Sequence, residues 1–232
     1  MRTFERPIVT VDAVVFRLNG EALEVLLTQR MNPEEPFYEA WGLPGGYVHV
    51  DEDRDTEAAA HRVLRGKTGG HVGHLEQLST FSGRDRDPRG WSVSVAYLAL
   101  VQCGELPGLR AAEEGVRWVP VDQAQGLPFD HADILAQALG RLRGKAVYSS
   151  LPAFLISPTF TMSELMGVYE IILGQKLDAS TFRRKVEGQG MIAQVHGQRK
   201  APGAGRPAAL FRLSQEALQD FGRVVLSERG TS

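Results

Sequence analysis

The chain has 232 residues, 43% of them hydrophobic, which is enough for one large or two small cores. No stretch approaches the roughly 18 apolar residues of a membrane helix, and the charged start lacks an apolar segment, so we expect neither a membrane span nor a signal peptide. The single cysteine, Cys103, excludes an intrachain disulfide and favours a cytoplasmic location.

The net charge of −2 is unevenly distributed along the chain. From Lys176 to Arg212, eight Lys or Arg residues stand against two acids, so this segment carries +6 and the remainder −8. An acidic body with a basic segment indicates that one part contacts a polyanion and the other does not. A solvated basic face would have the same composition, so this interpretation needs a supporting motif.

The first 145 residues are predicted to mix strands with helices. Apolar and β-branched runs predict strands at residues 9–16, 24–28, 91–101 and 115–121. Residues 41–46 are predicted as a turn-rich loop. Residues 55–67 have helical spacing and end at two glycines, and residues 131–143 form a second amphipathic pattern. This mixture favours an α/β sandwich.

The pattern changes in residues 146–158, which contain two prolines and are predicted as a connector. Thr161 and Glu164 have capping-box spacing and open a predicted helix that ends at Gly174. Asp178 can cap a second helix that continues to residue 188.

Two strand-like segments follow, at residues 191–196 and 209–213, and they flank a basic loop. Ser214 is predicted to cap a last helix that reaches residue 226. Two short helices followed by a hairpin are typical of a winged helix-turn-helix. The predicted domains are therefore 1–145 and 159–232, joined by the connector 146–158.

The first domain resembles the Nudix family. The matching segments are residues 26–30, residues 41–48, Glu52, residues 58–62 and residues 68–69. The resemblance implies an α+β protein: a Nudix α/β/α sandwich followed by the winged helix. Nudix enzymes cleave a nucleoside diphosphate linked to another group, and glutamates on one helical face hold the divalent cations that bridge the pyrophosphate.

The metal-binding pattern of that family is broken here. When Arg62 is aligned with the family arginine, non-acidic residues stand where three glutamates belong: Val63, Gly66 and Lys67. The segment before Arg62 is also two residues longer than the family pattern. A lysine repels Mg²⁺ and Glu52 alone does not form a cation site. We therefore predict no metal, no catalytic residue and no cofactor, with an active ADP-ribose pyrophosphohydrolase as the alternative.

The other acids near this helix receive a structural interpretation. We interpret them as solvated or as helix-start residues: Asp51, Asp53, Asp55 and Glu57. Glu113 and Glu114 precede a strand, and we expect them to lie in an exposed loop, although one of them could supply a base.

The nucleotide cleft of this fold lies outside the glutamate helix. Eight residues are predicted to bind a ligand there: Arg30, Trp41, Leu43, Gly45, Gly46, Glu52, Arg86 and Arg89. Arg86 and Arg89 belong to a loop with three arginines, which suits phosphates. A solvated loop is the other interpretation, and Trp41 is equally consistent with a core residue.

The combination of both halves resembles the NrtR type of transcriptional regulator. The similarity rests on residues 160–185 for the helix-turn-helix, residues 205–213 for the wing and residues 129–131 before the last Nudix helix. It implies a homodimeric repressor that binds palindromic double-stranded operator DNA under the control of a Nudix-domain ligand. In many members that ligand is ADP-ribose and the genes serve NAD biosynthesis, while other branches respond to sugar metabolites.

Seven residues are predicted to contact DNA: Thr181, Arg183, Arg184, Lys185, Arg199, Lys200 and Arg206. A recognition helix enters the major groove, where arginine suits guanine O6 and N7. A wing reaches the backbone or the minor groove. The sequence does not assign which of these residues read bases. Two alternative functions also stay open: a C-terminal domain that serves only for dimerisation, and a Nudix-derived module that binds RNA or protein.

Overall fold

The computed structural model describes residues 6–68, 72–102, 115–200 and 208–221, with the backbone alone at residues 67–68 and 198–200. The chain divides into two compact units. The first comprises Met1–Arg17, Glu24–Val101 and Glu105–Leu139, and the second comprises Leu18–Leu23, Gln102–Gly104 and Gly140–Ser232. No helix in the described part of the chain is long and apolar enough to cross a membrane.

A seven-stranded mixed sheet forms the first unit. Its strands are β1 (Ile8–Asn19), β2 (Ala22–Gln29), β3 (Trp41–Gly42), β4 (Gly45–Tyr47), β5 (His74–Gly83), β6 (Ser92–Leu100) and β7 (Val116–Pro120). The order is β3-β2-β1-β6-β5, while β4 pairs with β1 and β7 with β2. The β1–β6 pair is parallel, with Ile8 opposite Ser92 and Phe16 opposite Leu100.

The helix α1 (Thr56–Thr68) covers one face of this sheet. Asp55 starts the helix, because its Oδ1 accepts the Ala58 N–H at 2.8 Å. Helical positions three or four residues apart then face the sheet, and Val63 packs in a cluster with Val11 and Tyr97. A second helix, α2 (His131–Ala146), begins at the edge of a cleft in the first unit.

Residues 41–46, predicted as a loop, contain the two short strands β3 and β4. The prediction missed them because glycines disfavour strands, yet here Gly45 and Gly46 pair with Asp12 and Val11 of β1. β5 was not predicted either. Its sequence is rich in polar residues, and its pairing with β6 shifts register between Gln77 and Ser79.

The second unit has the predicted winged-helix elements. They are α3 (Met162–Leu173), α4 (Ala179–Gly188), β8 (Ile192–Lys200) and β9 (Ala208–Leu213), and a 3-10 turn (Leu151–Leu155) that was not predicted precedes them. The Thr161–Glu164 capping box is present, and Gly174 ends α3 in the left-handed conformation at φ 68°. β8 and β9 pair antiparallel as the hairpin of the wing.

Residues 146–158 are part of the second unit and not a separate connector. Leu151, Phe154 and Leu155 are buried, and their 3-10 turn contacts α3. The sequence suggested that these side chains pack between domains or against a second copy. In the structure they lie in the core of their own unit, and the division between units falls earlier, between Leu139 and Gly140 within α2.

The helix predicted to start at Ser214 is wrong for the described residues, since residues 214–221 are not helical. The backbone groups there bond elsewhere: Ser150 N donates to Gln219 O at 2.9 Å, and Phe221 N donates to Tyr148 O at 2.6 Å. Because these groups pair with a distant segment, a helix cannot use them. The rest of the predicted helix lies outside the described residues, as do Cys103, Glu113 and Glu114.

Candidate functional site

A cleft in the first unit opens where β1, β2 and the β3–β4 turn meet the start of α2. Six of the eight predicted ligand residues line it: Arg30, Leu43, Gly45, Gly46, Arg86 and Arg89. The other two do not line it. The Trp41 ring lies under the Arg117 guanidinium at 4.1 Å, and Glu52 is 65% exposed and pairs with His49 at 3.1 Å.

Arg86, which lines the cleft, is fixed by a largely buried ion pair with Asp130. Its Nε and Nη2 each donate to Asp130 at 2.8 Å, and its Nη1 donates to Ser92 Oγ at 3.1 Å. Its Nη2 also lies 3.5 Å from Asp12 Oδ2, and its side chain is only 8% exposed. Arg86 is therefore not a solvated loop residue but a positioned cation in the wall of the cleft.

Arg30 and Arg89 lie against one aromatic ring. Their guanidinium carbons are 4.9 Å and 5.8 Å from the centroid of Phe129, and Phe37 contacts the same ring edge-on at 4.7 Å. Phe129 and Phe37 have φ values of 55° and 59°, which are unusual for residues other than glycine. Such backbone strain is concentrated at ligand sites.

His131 holds the β3–β4 turn in place. The Leu43 N–H donates to His131 Nδ1 at 2.9 Å, so the ring carries its proton on Nε2, which lies 3.5 Å from Asp12 Oδ1. Ser94 Oγ also donates to Asp12, at 2.6 Å. Burial acts to raise the pKa of Asp12, but the interactions with His131, the hydrogen bond from Ser94 and the nearby charge of Arg86 together hold that pKa below its ordinary value.

Gly45 leaves room for this network. A Cβ on Gly45 would lie 2.2 Å from Asp12 Oδ1 and 3.0 Å from the Val11 carbonyl oxygen, so no other residue fits without movement. Because Gly45 has no side chain, the backbone of the turn can lie close to Asp12. Glycine is often found where the backbone must approach a ligand in this way.

The charges of the cleft are nearly balanced. Arg86 has Asp130 as its partner, Arg89 donates to Asp87 at 2.8 Å, and Arg30 donates to Glu35 at 2.6 Å. Arg89 also donates to the Tyr47 hydroxyl. These partners orient the arginines, and the strong hydrogen-bond donors of the guanidinium groups suit an anion such as a phosphate.

On α1, the described residues that the sequence analysis aligned with metal-binding glutamates lie in two different environments. Val63 is buried, and its Cγ2 would be 3.3 Å from a Cβ on Gly46. Gly66 is exposed, and the Lys67 side chain is outside the described residues. In the described part of the chain, no three His, Cys, Asp or Glu side chains are grouped to hold a metal ion.

Asp53 is an exception to the interpretation that the upstream acids are solvated. Its side chain is 3% exposed and accepts from Arg62 Nε at 2.8 Å and Nη2 at 2.6 Å. Arg62 also donates to the Tyr47 carbonyl at 2.8 Å. The hydrogen bonds from Arg62 lower the pKa of Asp53 to about 2. The loop before α1 thus supplies the carboxylate that pairs with Arg62.

The helix α4 contains the residues predicted to form the recognition helix of the second unit. Phe182 and Val186 anchor it in the core, and the Phe182 ring contacts Tyr169 at 5.2 Å. Opposite this buried side, exposed residues occupy one helical face at i, i+3, i+4 and i+7 spacing: Ser180, Arg183, Arg184 and Glu187. We call these four residues the reading face.

The structure separates the predicted DNA-contacting residues into groups. Arg183 and Arg184 are on the reading face, whereas Thr181 and Lys185 are half-buried on its flank. Arg199 and Lys200 belong to β8, where the backbone alone is described, and Arg206 lies outside the described residues. Ser180 and Glu187 were not predicted, although their spacing from the arginines was visible in the sequence.

A cleft with positioned arginines in a Nudix-type sheet and an exposed basic helix in a winged unit together define a ligand-responsive DNA-binding regulator. The NUDIX domain family matches residues 6–139, and the NrtR DNA-binding winged helix domain matches residues 152–213. The chain belongs to the NrtR-type family of Nudix-related transcriptional regulators, which confirms the predicted fold and family.

Three relatives show how far this similarity extends. The ADPR responsive transcriptional repressor NtrR of Acinetobacter baylyi is 41% identical over 220 residues, which is 94% of this chain and 85% of the relative. Shewanella oneidensis NrtR complexed with a 27mer DNA has a TM-score of 0.81 and 39% identity, covering 89% of this chain and 93% of that one. The NUDIX domain of Shewanella oneidensis NrtR complexed with ADP ribose has a TM-score of 0.54 and 39% identity, over 60% and 90% of the two chains.

Proposed function

We propose that this protein is a transcriptional repressor that binds operator DNA through its winged helix and ADP-ribose in its Nudix cleft. The observation that carries the proposal is the similarity to an ADP-ribose-responsive repressor, which extends through both units. The DNA and ADP-ribose complexes of the Shewanella protein support the two partners separately.

The cleft has chemistry that suits a diphosphate joined to sugars and a base. Arg30, Arg86 and Arg89 provide planar donors for phosphate oxygens. Phe129 and the exposed Tyr47, which both line the cleft, offer ring surfaces to a base or a sugar. Asp12 and Glu35 add acceptors for hydroxyl groups.

In this proposal the ligand is bound and not hydrolysed. Val63 packs in the core where the family places a metal-binding glutamate, and Gly66 has no side chain to offer. Without a bridging divalent cation, the pyrophosphate is not activated for attack by water. The protein then acts as a sensor, and an active pyrophosphohydrolase is the competing function.

The remaining parts of the proposal concern assembly and biology. A homodimer would place two α4 helices on the two halves of a palindromic operator. The controlled genes would serve NAD metabolism, since ADP-ribose is formed when NAD is broken down.

The test is a calorimetric titration of ADP-ribose with and without operator DNA, using a duplex that the protein itself selects from a random library. Because linkage is reciprocal, ADP-ribose and operator must change each other's affinity by the same factor, about 5- to 150-fold. ADP-ribose binding with equal affinity in both conditions would contradict ligand control. No ADP-ribose binding at all would contradict the choice of effector.

A further inference from the structure

Glu187 is an acidic residue at the C-terminal end of the reading face, whose other residues are a serine and two arginines. It lies one turn after Arg183 on the reading face, and Arg183 Nε donates to its Oε1 at 2.9 Å. Both side chains are exposed, at 57% and 44%. A carboxylate at this position repels phosphates and weakens general attraction to DNA. Glu187 therefore does not serve to increase affinity for DNA, and another role must explain its position.

We propose that Glu187 is a specificity-determining positioning residue: it holds Arg183 so that this arginine reads a guanine in each operator half-site. The inference rests on the proposed function, since it requires that α4 enters the major groove. It adds an assignment of roles among the residues of the reading face.

The geometry explains how the pair would work. With Nε bonded to Glu187, the two terminal amino groups Nη1 and Nη2 of Arg183 remain as donors. Their parallel N–H groups match guanine O6 and N7, which are both acceptors in the major groove. An arginine already held in one orientation loses less freedom on binding than a free one.

The carboxylate also rejects wrong partners. Adenine presents one acceptor and one donor in the major groove, so a fixed pair of donors is mismatched there. If Arg183 turned away to a phosphate, Glu187 would be left unpaired in the interface, which is costly. Glu187 thus lowers affinity for all DNA and increases the difference between right and wrong sequences.

The other residues of the reading face differ from Arg183. Arg184 has no carboxylate partner among the described residues, so its guanidinium is free to follow the phosphate backbone. Ser180 Oγ donates to Asp178 Oδ1 at 2.7 Å, which ties it to the start of the helix. Of the two arginines on the reading face, Arg183 is therefore the one whose guanidinium is held in a fixed orientation before DNA binds.

The experiment uses the full chain and a randomised 30-base-pair duplex library. The sequence that the parent selects is then remade with each G·C pair of a half-site changed to A·T, and an unrelated duplex of equal length is added. Affinities are measured by fluorescence anisotropy for the parent and for four variants: Arg183→Ala, Glu187→Ala, Glu187→Gln and Glu216→Gln. Glu216 is an exposed acid outside α4, so its variant controls for the change in charge.

We expect the parent to discriminate at one G·C pair by about 10-fold or more, and Arg183→Ala to lose that discrimination. Glu187→Ala should reduce it about 5- to 10-fold at the same pair while affinity for the unrelated duplex stays equal or rises. Glu187→Gln should keep part of it, because its amide oxygen still accepts from Nε. Glu216→Gln should discriminate like the parent.

Two results would overturn the inference while leaving the proposed function intact. One is undiminished discrimination in Glu187→Ala when Arg183→Ala has lost it. The other is an equal loss of affinity for every duplex together with a lower melting temperature, which would show a structural role in the helix. If the parent selects no two-fold symmetric sequence, the proposed function itself fails and the inference fails with it.

Discussion

Asp130 accepts two hydrogen bonds of 2.8 Å from Arg86, and this pair closes the inner wall of the cleft. The two residues are 44 positions apart, so the pair joins the loop after β5 to the residue before α2. Asp130 is flanked by Phe129 and His131, which contact the other arginines and the β3–β4 turn. Residues 129–131 thus contact all three arginines of the candidate site and the β3–β4 turn.

The first prediction concerns this ion pair. Asp130→Asn leaves the guanidinium of Arg86 poorly compensated at 8% exposure, so the free energy of unfolding should fall by about 2 kcal/mol. ADP-ribose affinity should fall by about 10-fold, because Arg86 loses its orientation. Urea unfolding and calorimetry measure the two effects. Asp133→Asn is the matched control, since Asp133 is an exposed carboxylate three residues later, in the first turn of α2.

The second prediction compares two glycines. Gly45→Ala places a methyl group 2.2 Å from Asp12 Oδ1 and should lower stability by about 1–3 kcal/mol and reduce ligand binding. Gly66→Ala meets nothing within 4 Å in the interior of α1 and should raise stability by about 0.5–1 kcal/mol. Thermal and urea unfolding of both variants is the test. A stabilised Gly45→Ala would contradict the geometry of the turn.

The third prediction is that the Nudix unit does not turn over its ligand. With ADP-ribose and Mg²⁺ or Mn²⁺, we expect no AMP or ribose phosphate above the background without protein, measured by chromatography. EDTA should leave the affinity for ADP-ribose unchanged, because no metal bridges the phosphates. Metal-dependent turnover that is lost in Glu52→Gln would instead support the pyrophosphohydrolase.

The fourth prediction concerns pH and the Asp53–Arg62 pair. The pKa of Asp53 is lowered from 3.8 to about 2, so the folded state favours the ionised carboxylate. Its contribution to stability is fully present above pH 3.8 and is lost as the pH falls through about 2. In Arg62→Gln, the pKa of Asp53 should return toward its ordinary value, as carbon NMR of the side-chain carboxyl can measure. An unchanged pKa would show that Arg62 is not the cause.

Much of the winged helix was predictable because its signals are local. Thr161 and Glu164 cap the helix that they begin, Gly174 ends it, and Asp178 caps the next one. Ser214 is also a residue type that caps helices, but the helix predicted to begin there does not form in the described residues. Residues 219–221 bond to residues 148–150, about seventy positions earlier, and a local pattern does not contain that information.

The candidate cleft was predictable only in part, because only some of its signals are local in the sequence. The glycines and arginines of the motif could be named, but their partners could not. Asp53 was interpreted as solvated because a bidentate pair across nine residues of loop and helix depends on the folded path of the loop. Phe129 belongs to the matched motif at residues 129–131, but the motif did not reveal its contacts with Arg30 and Arg89, because these join three separate segments.

The last prediction assigns Arg184 to the DNA backbone. Binding to the selected operator should weaken linearly in a plot of log K against log salt concentration, with a slope of about −0.9 for each phosphate that a cation neutralises. Arg184→Ala should reduce the steepness by about 0.9 for each half-site while the order of preference among sequences stays the same. Arg183→Ala should do the reverse and relax the sequence preference with little change in slope, because its partner Glu187 already balances its charge. Anisotropy titrations at several salt concentrations, on the operator and on an unrelated duplex, measure both quantities. If Arg184→Ala leaves the slope unchanged and alters the base preference, then Arg184 reads the bases and the roles of the two arginines are exchanged.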